Sequence, residues 1–237
     1  MTDVIGSSPE AQEQDAYTRL KNDILRGIFP PGSRLLMSAL KERYDTGVGP
    51  LREVLSQLVA ERLVVAINQK GYRVASMSLA ELTDVYDARA RLEALIVRLA
   101  LLRGDEQWEA EVVAKAYTLS RVDELHSQQE MLDVWDARHK AFHSAIAAGC
   151  GSQSLLQART FLADQAERYR QIWLQRTVFS PAALEEKREE HQLLMDMVLT
   201  RDIDKAEVYI YQHLMTPVPV IRAILEQGDT LTAGNDD

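Results

Sequence analysis

Only one stretch of this chain alternates in the manner of strands: VVAI (64–67) and YRVA (72–75), joined by Asn68-Gln69-Lys70-Gly71. Short β-type runs on either side of a glycine-bearing turn read as an antiparallel hairpin. Upstream the period is helical. Tyr17, Leu20, Ile24 and Leu25 recur at three and four. GIFPPGSRL then stops the helix, because Pro30-Pro31-Gly32 removes donors and fixes turn dihedrals. SALKERYD predicts a second helix, and TGVGP leads into a third, PLREVLSQLVAERL, with Pro50 in the first turn, where its missing N–H is not needed. Helix, helix, turn, helix, hairpin is the order of a winged helix-turn-helix, expected here over 16–77 after a flexible arm over 1–15.

Beyond the hairpin the pattern changes character. Ser78-Leu79-Ala80-Glu81 has the form of a capping box, and from there to about Gln227 every strong signal is helical. Breaks fall at Arg103-Gly104-Asp105, around Gly149–Ser152, at Phe179-Ser180-Pro181 and over Thr200–Asp204. They predict an all-α bundle of six or seven helices over 78–228, followed by a flexible tail over 229–237. The expected fold class is therefore mainly α, a winged helix-turn-helix followed by a helical bundle.

Few functions survive the composition. The single cysteine, Cys150, cannot form an internal disulfide and reads as a semi-buried thiol in a reducing compartment. The start, MTDVIGSSPEAQEQD, is polar and acidic, unlike a secretion signal. ALIVRLALL is interrupted by Arg98 and is too short to cross a bilayer, so a cytoplasmic protein without membrane contact is expected. The net charge is −9, yet residues 16–78 carry ten basic and five acidic residues, which is +5 locally and leaves −14 for the remainder. A basic module on an acidic body can bind a polyanion locally. In the third helix Leu51, Val54, Leu55, Leu58 and Leu63 form the packing side, while Arg52 and Gln57 fall outside it. Arg52 suits a guanine edge in the major groove of double-stranded DNA, and Lys70 and Arg73 suit the flanking phosphates.

LKNDILRGIFPPGSRL, GPLREVLSQLVAERLV and QKGYRV resemble the DNA-binding domain of GntR-type transcription regulators over about sixty residues in the right order. The resemblance implies Arg52 as the base-reading arginine, with Ser38, Val48, Gly49, Pro50, Lys70, Gly71 and Arg73 as the other DNA contacts. The family usually has a Ser-Arg-Thr type triplet before the proline. Gly47-Val48-Gly49 stands there instead, which implies a different operator preference, with Val48 free to meet a thymine methyl.

The acidic half places histidine unusually. In WDARHKAFH, His139 and His143 stand four apart, on or beside the stripe Leu132, Trp135, Phe142, Ile146. Leu194 and Val198 put His191 on an inner face, and Ile210 and Leu214 do the same for His213. His126, in HSQQE, reads as surface. Buried imidazoles are costly unless bonded, whereas a divalent transition metal uses four neutral nitrogens at once. Enzyme motifs are missing. A zincin would need Glu at Lys140, a di-iron bundle needs paired Glu-x-x-His, and no nucleophile elbow, phosphate loop or dinucleotide fingerprint is present. A non-enzyme is expected.

HKAFH, EEHQLLMDMV and YQHLMTP are similar to the effector-binding FCD domain of the FadR branch of the same regulators. Position by position, the resemblance implies His139, His143, His191 and His213 as metal ligands. The family usually has aspartate at the place of His139, and an all-nitrogen set favours zinc or nickel over manganese. In the first bundle helix the stripe Leu82, Val85, Arg89, Leu92, Ile96, Leu99 carries an arginine where an aliphatic belongs. Arg89 either pairs with Glu93 at i+4 or forks a ligand carboxylate opposite the metal. The family pattern favours the second, and the phases of Arg168 and Arg170 do not decide whether they share that role. TGVGPLREVLSQLVAERLV, NQKGYRVASMS and WDARHKAFHSAIAAGCGS are similar to a member of the family that regulates glutarate catabolism, which implies glutarate or a related five-carbon diacid as effector. Together these readings predict a homodimeric repressor on palindromic operators. The rivals are a metal sensor without organic effector and a metalloenzyme fused to a DNA-binding module.

Overall fold

The computed structural model describes residues 9–174 and 179–232, and it divides into two compact units, Met1–Ser78 and Leu79–Asp237. The first unit contains α1 (Pro9–Leu25), β1 (Arg34–Leu35), α2 (Met37–Tyr44), α3 (Val48–Ala60), β2 (Val64–Ile67) and β3 (Gly71–Val74). Its sheet runs β1-β3-β2, all antiparallel, with Val65 opposite Arg73 and Arg34 also opposite Arg73 from the other side. Gln69 (φ 58°) and Gly71 (φ 86°) make the hairpin turn in the left-handed region, which glycine enters without penalty. Leu20, Ile24, Leu40, Leu51, Leu55 and Leu58 interlock in a core closed over the sheet by Leu63, Val64 and Val74.

Two helices run past the expected boundaries, and one strand was not expected. α1 begins at Pro9, within the arm expected over 1–15: proline fits a first helical position, and Glu, Ala and Gln up to Gln14 are good helix formers. At the other end α11 (Val218–Thr232) continues into the tail expected over 229–237, since helix propagation from Ala223–Gln227 is favourable once begun. Residues 1–8 and 233–237 of those segments lie outside the described residues. Strand β1, two residues long, has no period to read and was not expected.

The second unit contains α4 (Leu79–Arg103), α5 (Glu106–Ser120), α6 (Gln128–Glu130), a π-helical turn (Met131–Asp136) running into α7 (Ala137–Ala148), α8 (Gln153–Leu174), α9 (Pro181–Leu199), α10 (Ile203–Met215) and α11. Side-chain caps set several starts: Asp105 accepts from the Trp108 amide, Ser127 from Glu130, Ser180 from Ala183 with Pro181 next to it, and Asp202 from Lys205. The core runs from Ile96 and Leu101 through Val112, Phe142 and Ile146 to Leu194 and Ile210. Among the described residues no helix is long and apolar enough to cross a membrane.

Trp108 pins α5 to α7. Its indole N–H donates to the Ala145 carbonyl at 2.8 Å, and its ring lies against Gly104 and Gly149, where a Cβ would fall 2.1 and 2.5 Å from ring atoms. A methyl there has to displace a buried ring. Gly149→Ala is therefore expected to lower stability by about 1–3 kcal/mol, read as an earlier midpoint in chemical denaturation. An unchanged midpoint would show that the ring is not held as described.

Candidate metal and ligand site

Three helices of the second unit build one site. His139 and His143 come from successive turns of α7, His191 from α9 and His213 from α10, and one ligand atom from each lies within 4.8 Å of all the others. The Nε2 atoms of His139 and His143 are 3.1 Å apart, close to the edge of a tetrahedral zinc site, about 3.3 Å for bonds of 2.0–2.1 Å. Ring centroids are 4.9 Å apart for His139 and His191 and 5.1 Å for His143 and His213. Trp135 stacks on His139 at 4.7 Å, which sets that ring's plane.

The surroundings choose the tautomers. His191 Nδ1 faces the Lys187 carbonyl, which can only accept, so Nδ1 carries the proton and Nε2 keeps its lone pair. His191 Nε2 is buried without a hydrogen-bond partner among the described residues. His213 Nδ1 lies 3.5 Å from Glu190 Oε2, and Lys187 Nζ donates to both oxygens of that carboxylate at 2.7 and 2.8 Å. A carboxylate behind a histidine is the usual outer support of a metal ligand. Burial alone would raise the Glu190 pKa, but the His213 and Lys187 contacts outweigh it and hold it at about 2. Burial, reinforced by the neighbouring rings, lowers His139 and His143 well below the ordinary histidine value and His191 to about 4. All three are therefore neutral near pH 7, the state a metal needs.

A cavity of about 110 Å³ adjoins the cluster. His139, His191 and His213 line one part of it, Tyr86, Arg89, Arg170 and Lys187 supply polar groups, and Trp135, Trp173, Leu214, Pro217 and Val220 form much of the rest. Among the described residues it has three cationic side chains on its wall and no carboxylate. Arg89 is held loosely, with Nε 3.8 Å from Glu93 Oε1, because Arg159 takes Glu93 Oε2 at 2.9 Å. Its Nε is buried without a hydrogen bond among the described residues, as are Arg170 Nη2 and the Tyr86 hydroxyl. Each such orphan costs about 1–3 kcal/mol, so several around one cavity mark a place where a polar ligand belongs.

The ambiguity between Arg168 and Arg170 is resolved. Arg168 turns to Glu81, 3.3 Å from both carboxylate oxygens, beside the Tyr169 hydroxyl on the same group. Arg170 instead lines the cavity, anchored behind by Asp136 and by Glu167 at 3.4 Å. Lys140 Nζ bridges those two acids, at 2.8 Å from Asp136 and 2.7 Å from Glu167. Asp136 ends the π-helical turn, a distortion often found at functional sites. Burial would raise the Glu167 pKa, yet Arg170 and Lys140 bring it to about 2. Tyr86 and this ion network were not found from the sequence, which named Arg170 only as an alternative to Arg168. His126 is exposed, and Cys150 is a buried free thiol.

In the first unit Ser38, Val48, Gly49, Arg52, Lys70, Gly71 and Arg73 are exposed and Pro50 half-buried. Val48 starts α3, so Val48, Gly49, Pro50 and Arg52 occupy its first two turns. Arg73 also donates to the Gly32 carbonyl at 2.8 Å, which ties the hairpin to the Pro30-Pro31-Gly32 turn.

Two family patterns match: that of the bacterial regulatory proteins, gntR family, over residues 12–74, and that of the FCD domain over residues 84–216. The chain belongs to the gntR family. It is 58% identical over 208 residues, 88% of this chain and 94% of the other, to the HTH-type transcriptional repressor GlaR of Escherichia coli K12. It is 34% identical over 208 residues, 87% of this chain and 83% of the other, to the HTH-type transcriptional regulator BphR of Paraburkholderia xenovorans LB400. The solved structure of E. coli McbR/YncC superposes with a TM-score of 0.72 at 20% identity over 90% of this chain and 97% of that one, a likeness of fold alone. The FCD pattern thus covers the four histidines and Arg89, Arg170 and Lys187 of the cavity wall, and the histidine cluster can hold a metal.

Glu167→Gln leaves Arg170 and Lys140 to share Asp136 in a buried place. Removing one partner of a buried pair is expected to cost about 3 kcal/mol, measured by chemical denaturation. A loss below about 1 kcal/mol would mean that water reaches the network.

Proposed function

We propose that this protein is a transcriptional repressor that reads palindromic DNA as a homodimer in the cytoplasm and is controlled by a small dicarboxylate bound in the FCD domain. Residues 16–77 are the DNA-reading module and residues 78–228 the effector module. The observation that carries the effector reading is the wall of the cavity: histidines, three cations and, among the described residues, no acid. Such a wall suits an anionic ligand. The relative named a repressor supports the sign of regulation.

The proposed metal ligands are His139, His143, His191 and His213. Four neutral nitrogens favour zinc, with nickel or manganese as the other divalent candidates. When bound, the metal supplies a Lewis-acid position for one carboxylate oxygen of the effector. Arg89 offers its fork to the second carboxylate, because Glu93 is occupied by Arg159. At about 10–15 Å³ for each water-sized position, the cavity holds roughly seven to eleven non-hydrogen atoms, the size of glutarate or a related five-carbon diacid. Arg52 is proposed to read a base edge from α3, with Val48, Gly49 and Pro50 beside it, while Ser38, Lys70, Gly71 and Arg73 hold the backbone.

An operator selected from a random DNA pool provides the test. Zinc-loaded protein is expected to bind it, glutarate to weaken binding by about tenfold or more, and chelator or Arg89→Ala to abolish the glutarate effect. Arg52→Ala should lose about 1–3 kcal/mol of operator affinity without changing glutarate binding. If metal alone releases DNA and no dicarboxylate adds to it, the protein is a metal sensor and the effector reading is wrong. Conversion of the acid by the zinc-loaded protein would identify an enzyme instead.

A further inference from the structure

Tyr86 and Arg170 have no part in the scheme above, yet they hold two of the buried, unpartnered polar groups on the cavity wall. Tyr86 lies on α4 one turn before Arg89, and its side chain is almost fully buried. Arg170 comes from α8, also buried. Three further facts connect them. Arg89 and Arg170 line the same cavity as His139, His191 and His213. Tyr86 lines that cavity together with both arginines, whose charges lower the pKa of its hydroxyl against the effect of burial. Arg170 is not free to turn away. Asp136 and Glu167 hold its Nη1 edge, Lys140 holds those two acids, and Gln171 donates to Glu167 as well.

A guanidinium anchored on one edge and unbonded on the other is a donor prepared for an acceptor that arrives later. The same applies to the Tyr86 hydroxyl, where burial, opposed by the two nearby arginines, holds the pKa up at about 12, so the proton stays on oxygen. A protonated hydroxyl and an N–H donor facing one cavity suit an oxygen with lone pairs and a negative charge.

We infer that the Tyr86 hydroxyl and Arg170 Nη2 form, with Arg89, the subsite that receives the effector's second carboxylate and separates diacids from monoacids of the same length. This inference rests on the dicarboxylate reading of the cavity. It adds that selection is made by donors on α4 and α8, helices other than those that carry the histidines. An acid lacking the second carboxylate leaves these donors unbonded, and sites built to hydrogen-bond a group reject analogues that lack it.

The test uses the zinc-loaded full chain and two five-carbon probes, glutarate and pentanoate, titrated calorimetrically. Wild type is expected to prefer glutarate by at least about tenfold. Tyr86→Phe removes only the hydroxyl, and Arg170→Lys keeps the charge against Asp136 and Glu167 but removes the second nitrogen. Each is expected to reduce the glutarate preference by about fivefold or more, with pentanoate affinity and zinc affinity against a chromophoric chelator unchanged. Tyr86→Phe keeps the proposal testable if Arg170→Lys fails to fold. Wild type that binds glutarate while Tyr86→Phe retains its full preference overturns the subsite and leaves the effector reading intact. Wild type that binds neither acid overturns both, and equal weakening of both acids in the variants reduces the two residues to a structural role.

Discussion

Four imidazoles brought within 4.8 Å of one another are an arrangement that water-free protein does not favour by itself. Burial removes the charged forms, and mutual repulsion removes them further, so His139, His143 and His191 stay neutral. Neutral rings then crowd together with too few protons among them, and only the Nε2 atoms of His139 and His143 are close enough to share one. His191 Nε2 is left without a partner, and the Lys187 carbonyl and Glu190 hold the outer nitrogens of His191 and His213. A divalent ion answers all of these demands together, and little else does. The rest of the second unit follows from keeping α7, α9 and α10 close enough for that meeting.

The cavity beside the cluster continues the same logic with charge. Arg170 and Lys187 are paired behind by carboxylates, while Arg89 is only loosely opposed by Glu93 at 3.8 Å, so the wall is positive without being a region of naked charge. The wall draws together side chains from α4, α8, α9 and α10, so under the proposed reading an acid would engage several helices at once. Regulation needs no more than that, provided the ligand favours one arrangement of these helices over another. A tenfold change in DNA affinity corresponds to a difference of about 1.4 kcal/mol, within reach of one charge-assisted hydrogen bond.

How much could be read from the sequence depends on whether the signal was local. The hairpin, the proline turn and the helix starts at Asp105, Ser180 and Asp202 were legible because cap and turn residues act within four positions. The histidines were legible because each interrupts a clear apolar stripe. Arg170 was not. Residues Gln165 to Gln171 of α8 are all buried, so that stretch has no dry and wet faces and no period from which to assign a phase. Its partner Asp136 is far away in sequence and sits in a π-helical turn that no pattern announces. Tyr86 was hidden for a related reason. The stripe through Arg89 suggested a single inner face for α4, whereas Tyr86, Ala90, Glu93 and Val97 are buried too, as befits a helix enclosed on several sides.

X-ray absorption at the metal edge, on protein purified without an affinity tag, addresses the convergence of the imidazoles most directly. The expected spectrum is that of one divalent ion per chain with imidazole nitrogens from all four histidines at about 2.0–2.1 Å. A protein that takes up no stoichiometric ion, or one whose ion is surrounded by oxygen with fewer than two imidazoles, would contradict the account at its centre.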